Sequence, residues 1–267
     1  MPFTASPLLH AYGPHPSQYA ELWLPETRLH RVIAVIIHGG FWRQAYGAEL
    51  GRPLAADLAA RGIVSWNLEY RRTAGGQGGY PETFDDVAAG LDALDAALAA
   101  AGIPDGPRVG IGHSAGGHLA LWAAGRNLLP PGAPGACPPE GRTLQGVVSQ
   151  AGVLDLQLAH ELHLSHGAAA ELVGATPEAA PESWKNADPA ARALPAVPLV
   201  MLHGSNDADV PVALARSFAA RARAAGAPVS YRELCGDHYG LITPGDPDWE
   251  ASVAALLELG GGPSQHR

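Results

Sequence analysis

Val109-Gly110-Ile111-Gly112-His113-Ser114-Ala115-Gly116-Gly117-His118 is the stretch that decides the fold. Gly112, Ser114 and Gly116 spell G-x-S-x-G. An apolar run, Arg108 to Ile111, leads into it, and a helix-forming run, Leu119 to Ala124, leads out. Strand, sharp turn and helix in that order push a serine hydroxyl out over the end of a sheet, on a strained backbone. Small residues two before and two after the serine keep strand and helix from colliding across the turn. A hydroxyl held this way is a nucleophile in want of a base.

Outward from the turn, strands alternate with helices. Tyr19 to Leu24 reads as an early strand. Arg31 to Ile37 is β-branched and continuously apolar, as a strand covered on both faces is. Ile63 to Leu68, Leu144 to Ser149, Val197 to Leu202 and Val229 to Leu234 are further strands. Gly51 to Ala60, Glu82 to Ala100, Val212 to Ala225 and Trp249 to Leu259 carry helical spacing. This alternation predicts an α/β fold with a mostly parallel central sheet and helices on both faces. Asn127 to Arg142 is rich in proline and glycine and reads as a loop. Val153 to Arg192 has helical pieces and no clear strand, so it reads as a small cap inserted over the active end of the sheet. No repeat or composition shift divides residues 1–267, which read as a single domain.

Composition narrows the function. Of 267 residues, 47% are hydrophobic and 16% charged, which suits a large core and excludes general disorder. Twenty-six acidic residues against 17 Lys and Arg give a net charge of −9. With no basic stripe, nucleic acid and anionic membrane are not the expected partners. Cys137 and Cys235 cannot build a disulfide framework, and neither sits in C-x-x-C. Met1 to Tyr12 lacks a basic segment followed by an apolar core, and Val32 to Ile37 is too short to span a bilayer. The expectation is a cytoplasmic enzyme acting on a small molecule.

A serine nucleophile needs a base, and the base needs an orienting acid. In this architecture the chain order is Ser, then Asp or Glu, then His. After the Val197 strand comes His203-Gly204-Ser205-Asn206-Asp207-Ala208-Asp209-Val210-Pro211; after the Val229 strand comes Cys235-Gly236-Asp237-His238-Tyr239-Gly240. Asp207 and Asp209 compete for the acid. His238 is the candidate base, because His38, His113, His118 and His203 all precede or begin the acid loop and His266 sits in the tail. His38 then braces its own loop and His203 the acid loop. Donors for a developing oxyanion are expected at the Ala115 backbone N–H and, from His38-Gly39-Gly40-Phe41-Trp42, at those of Gly40 and Phe41.

Together these residues resemble the α/β-hydrolase superfamily. The resemblance runs from about Val32 to the final helix, on H-G-G-F-W, G-H-S-A-G-G-H, H-G-S-N-D-A-D-V-P and G-D-H-Y-G. The spacing H-G-x-x-D-x-x-V-P is similar to that of prolyl-oligopeptidase-type and esterase-type members, whose acid falls on Asp207. The combination of the first two motifs is similar to small carboxylesterases and to kynurenine formamidases, with Phe41 where formamidases usually carry tyrosine. The resemblance implies a serine hydrolase with Ser114, Asp207 and His238 as its triad, cleaving small esters or, as the alternative, an aryl formamide; a hydrolase-fold receptor without catalysis is the rival from another class.

Three further patterns need weighing. His160, His163 and His166 are spaced like ligands on one helical face, but no cleanly spaced carboxylate or cysteine completes a set, so no metal is expected. Gly110-Ile111-Gly112-His113-Ser114-Ala115 also satisfies the dinucleotide pattern G-x-G-x-x-A. That pattern wants an acid about 20 positions on at a strand end, where this chain has the loop Leu128 to Gly132, so no cofactor is expected. Trp42, Tyr80 and Trp184 are expected beside Phe41 in the substrate pocket, with Trp66 and Trp122 in the core.

Overall fold

The structure, a computed structural model, describes residues 6–261; His266 and the first residues of the Met1–Tyr12 stretch lie outside them. The chain opens with an antiparallel pair, β1 (Leu8–Ala11) and β2 (Tyr19–Trp23). β1 escapes the periodicity because it is a mostly exposed edge with no buried alternation to betray it. There follow β3 (Ile33–Ile37), α1 (Arg52–Ala60), β4 (Val64–Leu68), α2 (Glu82–Asp92), α3 (Leu94–Ala100), β5 (Arg108–His113) and α4 (Ala115–Ala124). After β6 (Gly146–Gln150), the segment 153–192 carries α5 (Leu156–Glu161), α6 (Ala168–Val173) and α7 (Pro181–Ala187) and no strand among its residues. The chain closes with β7 (Leu199–Gly204), α8 (Val212–Ala224), β8 (Val229–Leu234) and α9 (Pro247–Leu259).

Among the described residues the strands form one eight-stranded sheet in the order β1-β2-β4-β3-β5-β6-β7-β8. β2 is antiparallel to both neighbours, and from β4 to β8 all pairs are parallel. The continuously apolar strands explain why. In β3 all five residues are buried: Ile33, Val35 and Ile37 join the core under α2, α3, α4 and α8, while Ala34 and Ile36 join the core under α1 and α9. Each isoleucine and valine here contributes about 1.5–3 kcal/mol of burial, so a strand of this kind has no solvent face to offer.

The single helix expected over Glu82 to Ala100 is two. The Trp66 indole N–H donates to the Gly90 carbonyl at 2.9 Å, taking the acceptor that Leu94 needs, and the helix breaks at Ala93. Cys137 and Cys235 are free thiols.

Parallel strands put their C-terminal ends along one edge. The loops leaving β3, β5, β7 and β8 therefore open on the same side of the molecule, the usual location of an α/β ligand site.

Candidate active site

Ser114 stands between β5 and α4 with φ 54° and ψ −119°, a conformation that a residue with a side chain holds only under constraint. The constraint is visible. Its N–H donates to the Gln150 carbonyl at 2.8 Å, and its carbonyl accepts from Gly117 N–H at 3.0 Å and Val153 N–H at 3.2 Å. Gly116 is required by the close passage of α4 under β3: a Cβ there would lie 2.6 Å from the His38 carbonyl oxygen.

The β7 and β8 loops meet at His238. Its Nδ1–H donates to Asp207 Oδ2 at 2.6 Å. The Asp207 side chain is buried, and its other oxygen accepts the N–H groups of Asp209 (2.9 Å) and Val210 (2.8 Å). His203 Nε2 lies 3.2 Å from Asp207 and 2.9 Å from the Val210 carbonyl, bracing the acid loop. Burial alone would raise the Asp207 pKa; the bonds from His203 and His238 outweigh it and hold the carboxyl well below the usual range. Asp209 is exposed at the cleft, so Asp207 is the carboxylate the structure sets against the imidazole. On the other side of His238 lies His113, ring centroids 4.4 Å apart, whose Nε2–H donates to the His238 carbonyl at 2.8 Å. Burial pulls the His113 pKa down to about 3, so this ring is neutral and serves as a fixed donor. Sequence spacing gave it no such part; only its place beside Ser114 hinted at one.

Facing them is the β3 loop. Gly40, Phe41 and Trp42 all have positive φ (103°, 48° and 58°), a turn that exposes successive N–H groups on one side. The N–H groups of Gly40, Phe41 and Ala115 take no hydrogen-bond partner among the described residues. The loop is braced from behind. His38 donates from Nδ1 to the Gly39 carbonyl at 2.8 Å and stacks on Tyr70 at 4.4 Å, and the Tyr70 hydroxyl donates to the His38 carbonyl at 2.8 Å. Glu69, paired with Arg72, accepts the N–H groups of Ala48 and Tyr70, each at 2.8 Å.

Ser114 and His238 line one cavity of about 290 Å³, small enough to suit a small ligand. Phe41, Tyr46, Leu50 and Ile242 supply its apolar wall; Arg43, Ser165, Asp209 and Tyr239 supply polar groups. Phe41 thus stands where expected, but the other three aromatics do not. Trp42 is buried in the core, edge-on to His118 at 5.3 Å, because the left-handed turn swings its ring inward. Tyr80 packs edge-on to Phe84 at 5.4 Å, and its N–H donates to the Leu172 carbonyl at 2.7 Å. Trp184 is buried, with its indole N–H on the Ala175 carbonyl at 2.9 Å, beside a separate cavity of about 590 Å³ between 153–192 and α8. Tyr80 ties the insertion to the loop before α2, Trp184 ties α7 to Ala175 within the insertion, and neither lines the cleft. Tyr46, Leu50 and Ile242 reach the cleft through loop paths that no spacing encodes. Arg43 adjoins H-G-G-F-W and Tyr239 stands inside G-D-H-Y-G, and those positions were the available signal.

The three histidines of the insertion do not share a helical face. α5 ends at Glu161, and His163 and His166 lie past it with left-handed backbone. Among the described residues no three His, Cys, Asp or Glu side chains come together as a metal site, and no helix is long and apolar enough to cross a membrane.

Known proteins share this fold. The BD-FAE family model matches residues 21–221. Esterase LipC of Mycobacterium tuberculosis is 28% identical over 238 residues, covering 86% of this chain; the chain spans only 58% of that relative's length. Among solved structures, esterase B of Lactobacillus rhamnosus superposes with a TM-score of 0.80 at 20% identity, over 97% of this chain and 86% of that one. A truncated carbohydrate esterase from gut microbiota gives 0.76 at 20% identity, over 97% and 98% of the two chains. The fold is that of the α/β-hydrolases.

Proposed function

The chain belongs to the BD-FAE family, and from that membership and the geometry around Ser114 we propose that it is a serine-dependent esterase of small carboxylic esters, working through an acyl-enzyme. One observation carries the reading: a serine on a strained turn shares a small cleft with an imidazole whose far nitrogen donates to a buried carboxylate. Esterase LipC, esterase B and the gut carbohydrate esterase lend it support by likeness.

In this mechanism His238 Nε2 accepts the Ser114 proton as Oγ attacks the ester carbonyl. The carbonyl oxygen becomes an oxyanion held by the N–H groups of Ala115, Gly40 and Phe41. His238, now an imidazolium stabilised by Asp207, protonates the departing alcohol; water then enters, loses its proton to His238 and releases the acid. No step asks for a metal or cofactor. The insertion 153–192 acts as a cap of the single hydrolase domain, contributing Ser165 to the cleft.

A fluorophosphonate probe should label the folded protein once, and Ser114→Ala should abolish both labelling and turnover of p-nitrophenyl acetate, with kcat down by roughly 10⁴ or more. Labelling that survives Ser114→Ala overturns the serine mechanism. Folded wild type that neither labels nor turns over esters points to a receptor, and clear preference for N-formylkynurenine over p-nitrophenyl acetate and butyrate points to a formamidase.

A further inference from the structure

Arg43 follows directly on the three left-handed residues of the Gly40–Trp42 turn, and its backbone N–H closes that turn on the Gly40 carbonyl at 3.0 Å. Its side chain runs the other way, to the insertion. Nε donates to Glu171 Oε2 at 3.0 Å, Nη1 to Ser165 Oγ at 2.9 Å and Nη2 to the Ser165 carbonyl at 2.6 Å. All three nitrogens of the guanidinium are engaged.

The segment it grips is contorted. His163, Ser165, His166 and Gly167 all have positive φ (50°, 46°, 57° and 83°), and only the last is a glycine. Backbone of that kind persists only where its surroundings over-determine it. A planar fork that binds carbonyl, hydroxyl and carboxylate together is suited to do so, whereas a point charge is not. Arg43 and Ser165 both line the cleft that holds Ser114. One side chain thus ties the wall bearing the unpartnered N–H groups of Gly40 and Phe41 to the wall supplied by the insertion.

Resting on the esterase reading, we propose that Arg43 is a positioning residue that determines substrate size: it pins the Ser165 turn against the Gly40–Phe41 wall and so restricts the cleft to small esters. Without the fork the Ser165 turn relaxes toward ordinary backbone and moves outward. The gain is in room for a longer substrate, so it falls on KM for long esters rather than on kcat for short ones.

The test compares wild type, Arg43→Met, Arg43→Lys and Glu171→Gln. Arg43→Met keeps the apolar stem and removes the fork. Turnover is measured on p-nitrophenyl acetate, butyrate and octanoate and on ethyl and hexyl acetate, and hydrogen exchange is followed across residues 160–170. In Arg43→Met the ratio of kcat/KM for the longest to the shortest member of at least one series should rise about tenfold or more through KM, with faster exchange at 163–167. Arg43→Lys should recover part of the wild-type ratio, and Glu171→Gln should shift it in the same direction by less. A uniform fall on all esters, or unchanged exchange at 163–167, overturns the proposal. Wild type inert to every ester refutes the esterase reading instead, and exchange still decides whether Arg43 is the clamp.

Discussion

Asp207 shows how much one residue is asked to do. Its carboxylate accepts from the His238 imidazole and two backbone N–H groups, with His203 Nε2 3.2 Å away, so both oxygens are in use and the loop from Gly204 to Val210 closes around it. Asparagine keeps the shape but presents an amide to His238 Nδ1. The proton then has to leave Nδ1 for Nε2, the nitrogen that should accept from Ser114. Asp207→Asn is therefore expected to lower kcat by about 10³–10⁴ with KM little changed, because geometry survives and the tautomer does not. Steady-state kinetics on p-nitrophenyl acetate checks this; a loss under tenfold would mean that His238 does not depend on Asp207. The carboxylate that meets His238 stood out in its motif, since H-G-x-x-D-x-x-V-P spaces Asp207 three residues ahead of the Val210 that closes the turn. The walls of the cleft were not. Trp42 belongs to the same motif as Phe41 yet turns into the core, because ring direction follows from φ values that composition does not encode.

At the scale of elements, the site is a crossing. α4 leaves Ser114 and passes beneath the end of β3, and Gly116 is where the two touch: an added Cβ would sit 2.6 Å from both the Ile37 carbonyl carbon and the His38 oxygen. Backbone cannot rotate away as a side chain can, so Gly116→Ala has to push α4 and β3 apart. That separates Ala115 from Gly40 and Phe41, the two sides of the proposed oxyanion site. The expected result is destabilisation of roughly 3 kcal/mol, a Tm lower by roughly 5–10 °C, and kcat down by about 100-fold or more on p-nitrophenyl acetate. Thermal unfolding and kinetics on the same sample check both; a stable, fully active variant would show that the crossing has slack. Strand and helix types were readable for the same reason that this crossing is tight. A strand buried on both faces has to be largely apolar: β3 is so throughout and β7 nearly so, while β4, β5 and β6 are buried throughout and admit a few polar residues such as Ser65, Asn67 and Ser149. Where an element is held by one long-range bond, as at the Trp66–Gly90 contact that splits α2 from α3, or where it lies exposed as β1 does, periodicity had nothing to register.

For the molecule as a whole, histidines buried without charge set the response to acid. His113 donates to the His238 carbonyl, and His118 donates to the Ala187 carbonyl at 2.9 Å between Trp42 and Phe84. Burial lowers their pKa values to about 3 and about 4. Unfolded, each returns to about 6.5. The unfolded chain therefore binds more protons in acid, and the stability these residues contribute is complete above about 6.5 and lost as pH falls toward 4 to 3. Asp188 acts in the opposite direction: burial raises its pKa to about 6, so its share is present in acid and lost as pH rises through 6. Burial lowers the His38 pKa to about 3 as well, and three histidines outweigh one carboxyl. From pH 7.5 to 5.5 the unfolding free energy should fall by roughly 3 kcal/mol. Histidine 118 lies away from the cleft, and His118→Gln retains an amide that can donate to Ala187 without titrating. Whatever that variant does to stability at pH 7.5, its decline down to pH 5.5 should be roughly 60% of that of wild type. Denaturant unfolding at the two pH values measures the difference, and an unchanged decline would mean that His118 is not held neutral by the fold.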